Sequence, residues 1–249
     1  MKHIIIVGAT SGIGLAVAKG YLKAGWQVGA AGRRIEILAQ LQALAPDRVT
    51  IHQLDVTQED APEKLRLLIK QTGGMDLYFH ASGIGHQNIA LQPDIEIRTA
   101  QTNAVGFVRM VTTAFNYFKQ QGGGHIGVIS SIAGTKGLGS APAYSATKRF
   151  QNTYIDALAQ LAHMEHLGIR FTDIRPGFVA TDLLKDGHYP MLMQADRVAA
   201  HIVRALDQGK RRVVIDRRYA MLVFFWRLLP QCLWERLTVK SKKSRKEQD

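Results

Sequence analysis

His3-Ile4-Ile5-Ile6-Val7-Gly8-Ala9-Thr10-Ser11-Gly12-Ile13-Gly14 stands almost at the start of the chain. An apolar run that ends at a glycine predicts a buried parallel strand over residues 3–7. Leu15, Val17, Ala18, Tyr21 and Leu22 then recur at helical spacing, so a strand passes into a helix through G-x-x-x-G-x-G. Glycines allow such a turn to be tight and let the backbone approach a pyrophosphate resting on the free amides of the helix start. Gly8, Thr10, Ser11, Gly12, Ile13 and Gly14 are therefore candidate cofactor residues. A glycine string alone is a weak signal, and a tight turn without a ligand is the alternative; its place after the first strand gives it weight.

The rest of the chain repeats the alternation. Strands are expected at residues 26–31, 49–54, 75–80, 125–130, 169–174 and 212–215. Helices are expected at 35–44, 59–71, 96–120, 144–166 and 196–207. Pro46, Gly73-Gly74 and Gly122-Gly123-Gly124 punctuate them. Strands alternating with helices imply crossover units, hence an α/β fold with a doubly wound parallel sheet of about seven strands and helices on both faces.

Composition narrows the class. Of 249 residues, 46% are hydrophobic and 21% charged, as in ordinary globular proteins. One cysteine, Cys232, excludes an internal disulfide framework and a cysteine-rich zinc site. His163 and His166 have no evident third ligand, so no metal is expected. The apolar run before Gly8 is too short for a signal-peptide core, which predicts a cytoplasmic chain. The net charge of +12 is unevenly placed: residues 210–249 hold twelve Lys/Arg and four Asp/Glu, leaving 20 and 16 for residues 1–209. A nucleic-acid reader needs a basic face across the domain, so no nucleic acid is expected.

The second strand reads toward a cofactor. Dinucleotide folds that bind NAD place a carboxylate at its end to take the ribose hydroxyls. Here Val28-Gly29-Ala30-Ala31-Gly32-Arg33-Arg34 has no acid, and Gly32 stands in its place. A guanidinium can grip a 2′-phosphate with a charge-assisted fork, so Arg33 and Arg34 favour NADP(H); a solvated arginine pair is the alternative.

Tyr144-Ser145-Ala146-Thr147-Lys148 puts a tyrosine and a lysine at i and i+4 on one helix face. The pair alone means little. Its company raises it: Ser131 lies thirteen residues earlier, at the end of strand five, and Asn103 lies on the preceding long helix. A ketone reduced by hydride becomes an alkoxide that needs a proton. A tyrosine near its ordinary pKa of about 10 is a poor reversible donor, and a neighbouring ammonium lowers that value.

With these motifs the chain resembles the short-chain dehydrogenase/reductase family, in its single-domain branch of about 250 residues with a Tyr-x-x-x-Lys active site. The resemblance covers about residues 1–216 and implies a Rossmann-type fold. It implies catalytic roles for Asn103, Ser131, Tyr144 and Lys148: Tyr144 as acid/base, Ser131 on the substrate oxygen, Lys148 also on the nicotinamide ribose, and Asn103 holding a water that links Lys148 to solvent. It further implies that Asp55 and Val56 contact the adenine, that Ala81, Ser82 and Gly83 line the cofactor, and that Pro176, Gly177, Val179 and Thr181 bind the nicotinamide. A homodimer or higher homo-oligomer, packed through the two long helices, is implied as well. Two departures stand out: Val7 where the family has threonine, and His80 where it usually has asparagine.

The carboxyl end follows its own pattern. Asp216-Arg217-Arg218 replaces the glycine-rich ending of family members that reduce acyl-carrier substrates. Residues 217–239 read as an apolar and basic helix added to a catalytic domain of residues 1–216, and residues 240–249 as a basic tail. Such a segment fits either packing on its own domain or a sister subunit, or peripheral contact with a membrane through residues 217–246. Residues 183–193 carry Leu184, Tyr189, Met191, Leu192 and Met193 where the family has its substrate lid, which suggests a hydrophobic or lipid-like carbonyl. The expected function is an NADPH-dependent reductase/dehydrogenase interconverting a ketone or aldehyde and an alcohol. The rivals are a 3-oxoacyl-thioester reductase and a non-catalytic NADPH-binding membrane-associated sensor or scaffold.

Overall fold

The computed structural model describes residues 1–182, 184 and 189–238. Residues 183 and 185–188 of the expected lid, and the tail from residue 239, lie outside the described residues.

The sheet is built on β1 (His3–Val7), whose side chains alternate between two cores. Ile4 and Ile6 face one cluster, Ile5 and Val7 the other, and all four are buried. A strand covered on both faces must be apolar throughout, which is why the run is unbroken. β2 (Gln27–Gly32), β3 (Val49–Gln53), β4 (Leu77–His80), β5 (Gly123–Ile129) and β6 (Gly168–Pro176) join it, with β9 (Arg212–Ile215) at the far edge. Their order is β3-β2-β1-β4-β5-β6-β9, and every pairing is parallel. The order reverses direction between β1 and β4. Such a switch point opens a crevice at the carboxyl ends of the strands, where ligands of doubly wound sheets bind. A separate two-stranded ribbon pairs β7 (Val179–Ala180) with β8 (Met193–Gln194).

α1 (Gly12–Lys23), α2 (Ile35–Ala43) and α7 (Ala195–Asp207) belong to one layer; α3 (Ala61–Thr72), α5 (Phe107–Gln121) and α6 (Pro142–Met164) form the other. Val17, Ala18, Tyr21 and Leu22 are the buried stripe of α1.

Three expectations change. The long helix expected at 96–120 is α4 (Pro93–Ala100), a π-helical stretch from Gln101 to Gly106, and α5. Helical periodicity survives a widened turn, so the sequence pattern does not mark it. The Gly122-Gly123-Gly124 run is not all turn. Gly122 ends α5 with a φ of +90°, but Gly123 and Gly124 already pair with β6. Position 124 is glycine for close packing, since a side chain there would sit 2.1 Å from Phe118 Cδ1. The helix expected over 217–239 is α8 (Arg217–Leu228) and a short α9 (Gln231–Trp234), divided at Leu229-Pro230. Tyr219, Val223 and Trp234 anchor it to the body.

Candidate active site

Gly8 and Gly12 have φ values of +98° and +51°, open to glycine and strained for other residues. The turn is tightly closed: a Cβ on Gly14 would stand 2.1 Å from the Gly8 carbonyl oxygen, and one on Gly8 would stand 2.5 Å from Ser82 N. Gly8 and Ala9 both donate their amides to the Ala31 carbonyl, at 2.9 and 3.0 Å. Ser11 precedes α1 in extended conformation without capping it through its side chain, so the helix start offers free amides. Thr181 closes the turn from above, with its methyl 2.8 Å from where a Gly12 Cβ would be. This cradle, open only to backbone, fits a dinucleotide pyrophosphate.

Gly32 has a steric reason to be glycine. A Cβ there would lie 2.6 Å from Thr10 Cγ2, so any side chain at the end of β2 would have to displace the threonine of the glycine turn. Arg33 and Arg34 are exposed beside it. Arg34 lies across the turn, donating to the Thr10 carbonyl at 2.9 Å and to Asp182 at 3.2 Å. Asp55 caps its own turn, accepting from Thr57 N at 2.9 Å and Thr57 Oγ1 at 2.8 Å. Val56 is buried beneath Gly106, where a Cβ would stand 2.7 Å from Val56 Cγ2. Its side chain belongs to the core.

At the other end of the crevice, Ser131, Tyr144 and Lys148 meet. Ser131 lies two residues beyond β5 and caps the short 3-10 turn that follows, accepting from Ala133 N at 3.1 Å. Pro142 starts α6 and brings Tyr144 to the mouth of the site one half-turn later. Burial pushes the Tyr144 phenol up, and the hydrogen bond with Ser131 pulls it down. Gly85 covers the phenol ring so closely that a Cβ would be 2.7 Å from Cδ2. Lys148 is buried, with Nζ 5.8 Å from the Tyr144 ring centroid. Nζ donates to the Ile129 carbonyl and to Gln151 Oε1, each at 3.1 Å. Burial lowers the lysine to about 8, and Asp173 opposes that shift.

Asn103 is in the π-helical stretch and fully buried. Its amide donates to the Ile84 carbonyl at 2.7 Å and to Thr147 Oγ1 at 3.2 Å, and accepts from Ile84 N at 2.9 Å. It thus clamps Ile84, the residue after Ala81-Ser82-Gly83, against α6. His80 is buried and neutral, held near 3 chiefly by burial and secondly by the charge of Lys148. It hydrogen-bonds Tyr78 Oη at 2.9 Å and sets its edge on Phe107.

Pro176 ends β6 and Gly177 follows it; a Cβ on Gly177 would stand 2.3 Å from the Tyr219 ring. Tyr219 Oη accepts from Phe178 N at 3.1 Å and donates toward the Pro190 and Met191 carbonyls, at 2.9 and 3.2 Å. The carboxyl-terminal helix therefore ties the Gly177-Phe178 turn to Pro190 and Met191. Gly85, Gln151 and Tyr219 were not foreseen. Gln151 carried one signal, being seven residues after Tyr144 and three after Lys148 on a single helical stripe. Gly85 and Tyr219 had none, since close approach between distant segments leaves no local pattern. Among the described residues no cluster of three or more His, Cys, Asp or Glu can hold a metal.

The chain belongs to the short-chain dehydrogenase family, whose family model matches residues 2–188. An uncharacterized oxidoreductase of Myxococcus xanthus is 32% identical over 245 residues, covering 94% of this chain and 95% of that protein. In structure the chain is similar to a short-chain dehydrogenase from Streptomyces avermitilis, with a TM-score of 0.80 and 24% identity over 90% of this chain and 92% of that one. ElxO with NADP bound gives 0.76 and 23%, over 88% and 99%. The two structures bear on the fold; the family membership makes the protein an oxidoreductase with a nicotinamide cofactor.

Proposed function

We propose that the protein is an NADPH-dependent carbonyl reductase, reversible in principle, acting on a hydrophobic ketone or aldehyde in the cytoplasm. The observation that carries this reading is the convergence of Ser131, Tyr144 and Lys148 beside a glycine cradle. Gly8, Thr10, Ser11, Gly12, Ile13 and Gly14 would hold the pyrophosphate, and Arg33 and Arg34 the 2′-phosphate, where Gly32 offers no carboxylate. Ala81, Ser82 and Gly83 would line the adenosine side, with Asp55 and Val56 at the adenine and the Asp55 side chain accepting from its amino group. Pro176, Gly177, Val179 and Thr181 would face the nicotinamide. When bound, NADPH supplies the hydride.

The chain's own residues supply the rest. Ser131 hydrogen-bonds the substrate oxygen and sets it against Tyr144. Tyr144 gives its phenolic proton to that oxygen. Lys148, as ammonium, favours the phenolate left behind. Burial opposes phenolate formation, so the lysine and serine have to offset it. Residues 1–216 form the catalytic unit and residues 217–239 brace its lid. NADPH oxidation by the purified chain, against ketones graded from small polar to long apolar, tests the substrate class. Turnover rising with apolar length supports it; turnover confined to small polar ketones rejects it.

We further propose that the chain is a homodimer through α5 and α6, where Phe150 and Met164 are exposed, and that α8 rests on an anionic membrane surface. Met221, Phe224, Phe225 and Leu228 recur at i, i+3, i+4 and i+7 and are about 60% exposed (63, 60, 58 and 64%). Arg217 shares that stripe. Anionic lipid would attract both the Arg217 charge and the apolar surface beside it.

A further inference from the structure

We propose that Gln151 is a positioning residue of the active site, an amide brace that fixes Lys148 against the main chain of Asn103. Gln151 is fully buried on α6. Its Nε2 donates to the Asn103 carbonyl at 2.8 Å, and its Oε1 accepts from Lys148 Nζ at 3.1 Å. A buried amide is costly unless both ends are satisfied, and here each end is spent on a residue of the site. The family resemblance implies a water here, held by Asn103 and linking Lys148 to solvent. Asn103 lies in the π-helical stretch, and α6 grips it twice, through Thr147 on its side chain and Gln151 on its carbonyl.

An amide bound to Lys148 has a chemical consequence that a water would not have. A water passes a proton by accepting one and releasing another; a carboxamide accepts at oxygen and donates at nitrogen without exchanging the two. Gln151 therefore orients the ammonium and supports its charge, and the Asn103 carbonyl is tied into the scaffold. The groups facing Lys148 are Tyr144 on its own helix, His80 on β4 and Asp173 on β6, itself paired with Arg175. His80 is neutral and Asp173 is shared with Arg175, Ser130 and Asn152. Gln151 Oε1 and the Ile129 carbonyl are the hydrogen-bond acceptors of the ammonium among the described residues.

The inference rests on Lys148 being the partner of Tyr144, so its test reads the lysine and not turnover. The full chain is prepared with 13Cε-lysine, and the Lys148 resonance is identified by its loss in Lys148→Arg and followed against pH by NMR. Gln151→Met keeps the volume and removes the acceptor; the midpoint is expected to fall by about one unit. Gln151→Ser makes room for a water that can restore the bridge, and its midpoint is expected within about 0.3 units of the parent. Gln151→Glu supplies a charged acceptor, and its midpoint is expected to rise. A residue that merely fills space predicts that methionine is silent and serine disruptive. An unmoved midpoint in Gln151→Met, or no rise in Gln151→Glu, overturns the proposal. Absence of ketone turnover leaves these titrations readable and bears on the reductase reading instead.

Discussion

At the scale of single residues, what was legible in the sequence was chemistry carried by order and spacing. Ser131, Tyr144 and Lys148 could be read because one helix face and one strand end place them by local rules. Asn103 could be singled out, but not its bonds to Ile84 and Thr147, which depend on a widened turn. The arginines were legible as a charge pair. Which of them engages was not, because Arg34 reaches Asp182 from 148 positions away in sequence. With Arg33 and Arg34 both changed to Ala, the NADPH/NADH ratio of kcat/KM is expected to fall about tenfold to a hundredfold, the loss of charge-assisted bonds of about 1.5–3 kcal/mol. Steady-state kinetics with the two cofactors checks this, and an unaltered ratio rejects the 2′-phosphate assignment.

At the scale of elements, the sheet was readable to within a few residues because each strand is a short apolar run between turn signals. The boundary errors have physical sources. A π-helical stretch keeps its helical look, and glycines chosen for close approach look like glycines chosen for turning. The carboxyl-terminal helix was legible as apolar and basic, but its grip on the lid was not. Tyr219 Oη serves Phe178, Pro190 and Met191 at once. Tyr219→Phe is expected to cost about 1–2 kcal/mol, because it leaves the Phe178 amide and a lid carbonyl unpaired. Urea unfolding measures that loss, and limited proteolysis near residue 190 should quicken with it. Gly177→Ala, forced against the same ring, is expected to cost about 1–3 kcal/mol. A neutral effect of both would mean that α8 does not brace the lid.

At the scale of the whole molecule, charge and burial set the response to pH and surfaces. His80 and His125 are buried and held near 3 and 4, below the ordinary 6.5, chiefly by burial. Between those values and 6.5 the unfolded chain binds more protons than the folded one, so stability falls as pH falls through that window. At pH 5 the loss is up to about 2 kcal/mol for each histidine. Thermal unfolding at pH 7 and pH 5 reads it, and His80→Asn should remove part of the difference; an identical pH dependence would contradict the assignment. The outward face of α8 makes a second prediction. Vesicles containing about one third phosphatidylglycerol should sediment the protein, neutral vesicles should not, and high salt should release it. Phe224→Glu with Phe225→Glu should abolish binding while light scattering still gives a dimer. A monomer in that variant would instead make α8 a subunit contact. Among the described residues no helix is long and apolar enough to cross a membrane, so the contact proposed is peripheral.

The most direct test of the central claim is Tyr144→Phe, assayed for NADPH oxidation with the best ketone found for the parent and for NADPH binding by fluorescence. Removing one hydroxyl is expected to lower kcat by about 10²- to 10⁴-fold with NADPH affinity within about threefold, because the phenol serves the proton and not the cradle. Turnover that survives the substitution would contradict a tyrosine acid/base.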